Sequence, residues 1–164
     1  MNKKMRALAA GIALTLSLGL LAGCGGEKKA ADNSKKVVNV GIVQLVEHGA
    51  LDAANKGFIA GMAAKGFKEN ENVKYDRQNA QADQSNLQNI AQRFVSNKVD
   101  LICAIATPTA QTMANATKDI PIVATAVTDY EVAKLAASNN EPKGNVTGTS
   151  DMNPIDQQLE LLLK

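Results

Sequence analysis

Histidine occurs once in the 164 residues, at His48, and cysteine twice, at Cys24 and Cys103. A single histidine excludes a multi-histidine metal site, and two isolated cysteines exclude a zinc site of the CxxC type. Three glycine-framed motifs are missing as well: the GxSxG nucleophile elbow, the Walker P-loop and GxGxxG. Their absence weighs against an enzyme of acyl or nucleotide chemistry, and no cofactor is implied. A basic excess is lacking too, once the opening stretch is set aside. The formal net charge is +2, but Lys3, Lys4 and Arg6 lie in the first 23 residues with no acidic residue among them. Without that stretch the charge falls to −1, and no basic patch remains to recruit nucleic acid.

What is present begins with that opening stretch. Lys3, Lys4 and Arg6 precede an uncharged apolar run from Ala7 to Leu20, and Leu21-Ala22-Gly23-Cys24 follows. This is the layout of a secretory signal. A membrane-spanning helix needs ~20 apolar residues, which places this run at the short end of the range. The segment around Cys24 resembles a bacterial lipobox. The resemblance implies cleavage before Cys24, acylation of its thiol and amino group, and lipid anchoring on the extracytoplasmic side of the membrane. More than one acyl chain makes such anchoring stable. Residues 1–23 are thus expected to be a signal peptide and 24–36 a polar tether with no apolar period. With Cys24 lipidated, Cys103 has no disulfide partner; inside the apolar run LICAIAT it reads as a buried thiol.

From Val37 onward the pattern alternates between strand and helix. VVNVGIVQL (37–45) reads as a strand buried on both faces. Leu51, Ala54, Phe58, Ile59 and Met62 follow at helical spacing, closed by Gly66; Gly57 and Gly61 inside that helix suggest close packing against a sheet. Residues 72–80 form a second strand. Asp83 or Ser85 caps a helix whose stripe is Leu87, Ile90, Ala91, Phe94 and Val95. A central strand (99–106) leads to a helix over 107–117, with Thr107 as cap and Pro108 in the first turn. A fourth strand (120–127), a short helix over 128–138, a fifth strand (145–150) and a helix introduced by Asn153-Pro154 complete the series. The order predicts an α/β fold: a parallel sheet with helices on both faces. The chain stops within an apolar helix whose Leu159, Leu161, Leu162 and Leu163 want a partner, so the sequence is expected to be a piece of a longer one.

Ligands of open parallel sheets bind beyond the carboxyl ends of the strands. The residues there are Glu47 and His48, Thr107 and Thr109, Thr128 and Asp129, and Ser150 and Asp151. A helix starting at 107–109 would aim free N–H groups at a ligand carboxylate, and its dipole adds to the attraction. Asp129, Glu47 and Asp151 would receive an ammonium group, and His48 would pack against or hydrogen-bond a ligand. Each has a plainer reading beside this. Thr107, Asp129 and Asp151 are then helix caps, and Glu47 is a solvated loop charge.

VGIVQLVEHGALDAANKGF, NAQADQSNLQNIAQRFV, VDLICAIATPTAQTMANATKDIPIVATAVTD and GNVTGTSDMNPIDQQLELL together resemble the ABC-transporter substrate-binding proteins of the tryptophan/tyrosine-binding type. The resemblance implies two α/β lobes with ligand held between them. Residues 37–150 would be the first lobe, GTSDM (148–152) a hinge, and 151–164 the start of the second. It also implies an amino-acid ligand, partners in a membrane permease and ATPase, and a cleft lined by the eight strand-end residues just named. Gly49 and Tyr130 stand where the family often has proline, and Tyr130 would add a ring to the cleft wall. Two other readings remain open: a ligand-sensing lipoprotein without transport, and an exported hydrolase on a flavodoxin-like sheet.

Overall fold

The computed structural model describes residues 37–142 and 144–163, so the signal peptide, Cys24 and the tether lie outside the described residues. Five strands form one sheet in the order β2-β1-β3-β4-β7, every neighbouring pair parallel. They are β1 (Val38–Gln44), β2 (Val73–Asn79), β3 (Leu101–Ile105), β4 (Ile122–Val127) and β7 (Val146–Ser150). Helices cover both faces, as the alternation predicts. On one face, α1 (Gly49–Ala64) lays Leu51, Ala54, Phe58, Ile59 and Met62 against Val40, Ile42, Val73, Cys103 and Ile105. On the other, α2 (Gln84–Ser96) and α3 (Thr107–Ala116) bury Leu87, Ile90, Phe94, Ala110 and Met113 against Val43, Ile102, Ala104, Ile122 and Ala124.

Local chemistry sets the helix ends. Gly66, at φ +89°, lets its own N–H reach the Ala63 carbonyl and the Phe67 N–H reach that of Met62, both at 2.9 Å. This paired closure needs a left-handed residue after the helix, which glycine adopts without a Cβ penalty. Asp83 starts α2 by accepting from the Asn86 N–H at 2.7 Å. Gly41 has a packing role. A Cβ there would lie 2.7 Å from the Phe94 ring, so glycine is what lets that ring sit flat on β1.

Four expectations need correction. Gly57 and Gly61 are exposed, and a Cβ at either would meet nothing within 4 Å; the face of α1 that meets the sheet is the Leu51–Met62 stripe instead. Thr107 does not cap α3: the cap position is Ala106, with no side-chain bond. Residues 128–138 make one turn rather than a helix. Asp129 Oδ1 accepts from Val132 N–H at 2.8 Å and begins that turn. Lys134 then takes φ +59°, and Leu135 and Ala136 donate back to the Tyr130 carbonyl, so the turn cannot extend. The chain instead pairs β5 (Ala136–Ser138) with β6 (Glu141–Pro142) as an antiparallel hairpin. Finally, α4 (Ile155–Leu162) starts at Pro154 without a side-chain cap, and Asn153 contributes only its backbone carbonyl, to Ile155 N–H. Ile155, Leu159 and Leu162 of α4 remain exposed.

Candidate functional site

Because the five strands run parallel, all their carboxyl ends lie on one edge of the sheet. From β1 the chain crosses to β2 on one side, and from β3 to β4 on the other. The crossovers diverge between β1 and β3 and leave a crevice there. The starts of α1 and α3 flank it. In strand order, the edge carries Glu47 and His48, then Thr107 and Thr109, then Thr128 and Asp129, then Ser150 and Asp151.

The structure ties some of these residues together. Ser150 Oγ donates to the Thr128 carbonyl at 2.7 Å and accepts from Met152 N–H at 3.1 Å. Asp151 N–H reaches the Val127 carbonyl at 3.1 Å, and the Asp151 side chain is exposed rather than capping α4. The ends of β4 and β7 are thus one unit. Asp129 is half-buried, with one carboxylate oxygen on Val132 N–H, where it opens a turn rather than capping a helix. His48 is the N-cap of α1: its Nδ1 accepts from Ala50 N–H at 3.3 Å, while the ring stays exposed. Thr109 is fully buried and its hydroxyl has no hydrogen-bond partner, so it faces the interior of the α3 start and not the open crevice. Glu47 and Ser150 line different hollows, of about 540 and 230 Å³.

Backbone strain collects at this edge. Ala106, at φ 90° and ψ 151°, occupies a region that is essentially glycine-only. Ala126 takes φ 53°, and Gln81 and Ala82, just past β2, take 55° and 57°. Ala106 delivers α3 with its first N–H groups toward the crevice. Pro108 has no N–H, so Thr107 and Thr109 supply the first free backbone donors.

Sequence reasoning missed Gln44, the last residue of β1. It is 6% exposed, and its Nε2 donates to the Val46 carbonyl at 2.9 Å and to Asp52 Oδ1 at 2.6 Å. Its Oε1 accepts from Asn55 Nδ2 at 3.3 Å. These bonds pin the end of β1 to the first turns of α1, beside the larger hollow. The available signal was an amide closing the apolar run Val40–Val43. Tyr130 was misplaced: it is 5% exposed and buried beneath the β4–β7 end, not a ring on the cleft wall. Burial pushes its hydroxyl up to about 12. Burial likewise pushes the Cys103 thiol up to about 12, in keeping with an inert core thiol.

Comparison with known proteins agrees with this architecture. A tyrosine-binding protein of Clostridioides difficile (strain R20291) is 51% identical over 99% of this chain and 49% of its own length. A substrate binding protein with adhesive properties from Clostridium difficile, solved ligand-free and open, is 52% identical with a TM-score of 0.74, over 77% of this chain and 43% of that one. An ABC domain from Streptococcus pneumonia solved with L-Trp is 42% identical with a TM-score of 0.74, over the same shares of the two chains, 77% and 43%. The chain therefore spans about half the length of the relatives it matches, 49% of the curated one. The family of ABC transporter substrate binding proteins matches residues 39–164, and this chain belongs to it.

Proposed function

We propose that this chain is the amino-terminal part of a lipid-anchored solute-binding protein that captures an aromatic amino acid for an ABC importer. What supports the reading is the row of polar residues along the carboxyl edge of the parallel sheet, in a chain 51% identical to a tyrosine-binding protein. In this reading residues 37–150 are the first lobe and 151–164 lead into a second. The ligand carboxylate docks on the Thr107 N–H at the start of α3, where the helix dipole favours negative charge, with the buried Thr109 packed behind it. The ammonium group meets Asp129, through the carboxylate oxygen not committed to Val132 N–H, or Glu47. Thr128, Ser150 and Asp151 line the side from which the second lobe closes, and His48 borders the entrance. Hinged closure sequesters the ligand and presents it to a membrane permease and ATPase. Acylated Cys24 holds the protein on the extracytoplasmic face of the membrane; radiolabelled palmitate that still enters a Cys24→Ser variant would remove that anchor from the reading.

The test of the ligand is thermal unfolding of the full-length mature protein, without lipid, against each of the twenty amino acids. At 100 times Kd a true ligand adds about 2.7 kcal/mol. A selective upward shift with tyrosine, tryptophan or phenylalanine is expected, and no shift with any amino acid would sink the assignment. Asp129→Asn keeps an oxygen for the Val132 cap and removes the charge. It is expected to weaken binding at least tenfold, ~1.4 kcal/mol; unchanged affinity would take Asp129 out of the site.

A further inference from the structure

The join between β4 and β7 is irregular at one place. Ala124 pairs with Gly148 and Val127 with Ser150, so Thr125 and Ala126 together face Thr149 alone. This is a bulge, and Ala126 turns through it at φ 53°. Bulges bend a strand and re-aim the residues that follow, and they recur beside functional sites. The residues that follow here are Thr128 and Asp129.

One side chain reaches the bulge from outside both strands. The Tyr130 hydroxyl donates to the Ala124 carbonyl at 2.8 Å, with the Thr149 carbonyl at 3.2 Å. A phenol has one hydrogen, so the two strands share it. The rest of Tyr130 is also fixed. Its N–H donates to Asn139 Oδ1 at 2.7 Å, and its carbonyl accepts from the Leu135 and Ala136 N–H groups at 2.9 and 3.2 Å. Room for the hydroxyl exists because residue 148 is glycine: a Cβ there would lie 2.2 Å from it and 1.9 Å from the Ala124 oxygen.

We infer that Tyr130 is a positioning residue, whose buried hydroxyl fixes the β4 bulge and so sets both Thr128–Asp129 and Ser150–Asp151 at the crevice. It touches no ligand; it holds in register the two segments that do. The consequence for binding rests on the reading of the crevice proposed above, whereas the strut itself does not. Removing the hydroxyl takes away the donor that the two carbonyls share and frees the bulge to relax. The Ser150–Thr128 bond, which spans the same two segments, is then the next to loosen.

The experiment compares Tyr130→Phe with the parent in the full-length protein, by amide hydrogen exchange without ligand and by calorimetric titration with L-tyrosine. Exchange is expected to speed about tenfold at residues 127–132 and 149–152, with residues 87–94 of α2 unchanged. L-Tyrosine affinity is expected to fall at least fivefold. Exchange that is unaltered at both segments, or that rises equally in α2, overturns the strut. Faster local exchange with undiminished affinity overturns the positioning role. If the parent itself binds no amino acid, the proposed ligand falls, and the exchange pattern alone still decides the strut.

Discussion

Gly41→Ala is the sharpest test of how the core is built. Alanine suits a strand better than glycine, and lost freedom in the unfolded chain alone would stabilise the variant by about 0.5–1 kcal/mol. The structure opposes this. The new Cβ would stand 2.7 Å from two carbons of the Phe94 ring and 2.9 Å from a third. Ordinary carbon contacts are about 3.5–4.0 Å, so the ring must retreat by nearly 1 Å. Phe94 is fully buried and has little room to do so. With so little room the cost falls in the upper half of the range for overpacking, about 2–3 kcal/mol, leaving a net loss of roughly 1–2.5 kcal/mol. With a urea slope near 2 kcal/mol/M, the unfolding midpoint of this α/β unit should drop by about 0.5–1.2 M. Phe94→Leu opens space at the same point, so the double variant should lose less than the sum of the two single losses. A Gly41→Ala variant as stable as the parent, or strict additivity with Phe94→Leu, would refute the account.

Three other residues carry expectations of their own. Asp83→Ala deletes the bond to Asn86 N–H and should cost about 1 kcal/mol in urea unfolding, while Asp83→Ser recovers most of it. The Cys103 thiol, pushed from 9.0 up to about 12 by burial, should resist a thiol reagent at pH 8 until the protein unfolds. Above pH 9 the unfolded chain releases this proton and the native one does not, so stability should fall between pH 9 and 12, less steeply in Cys103→Ala; equal slopes would contradict it. Ala106→Gly removes the Cβ from a glycine-only conformation and should raise the thermal midpoint, by an amount equivalent to roughly 1 kcal/mol; a lower midpoint would show the conformation to be unstrained.

The parts of the fold legible in the sequence were those governed by near neighbours. The apolar run of β1, the Leu87–Phe94 stripe, the Asp83 cap and the Gly66 closure each depend on residues within about two turns of one another. Parallel order followed from the alternation of strands and helices, and with it the sheet edge on which the polar residues gather. The site's finer structure was hidden because its determinants are distant or carry no side-chain signal. Ala106 and Ala126 adopt glycine-like backbone with nothing in their composition to announce it. Thr107 had every local mark of a cap, yet the strained entry at Ala106 moved the helix boundary by one residue. Residues 128–138 had helical spacing, but Tyr130 found its best partners 6 and 19 residues away, at Ala124 and Thr149. Once that ring is buried the chain must turn back on it, and Lys134 pays the conformational cost at φ +59°. The edge of the sheet was therefore readable from periodicity, whereas the join that carries Thr128–Asp129 and Ser150–Asp151 is met by one phenol beside one glycine, across two strands.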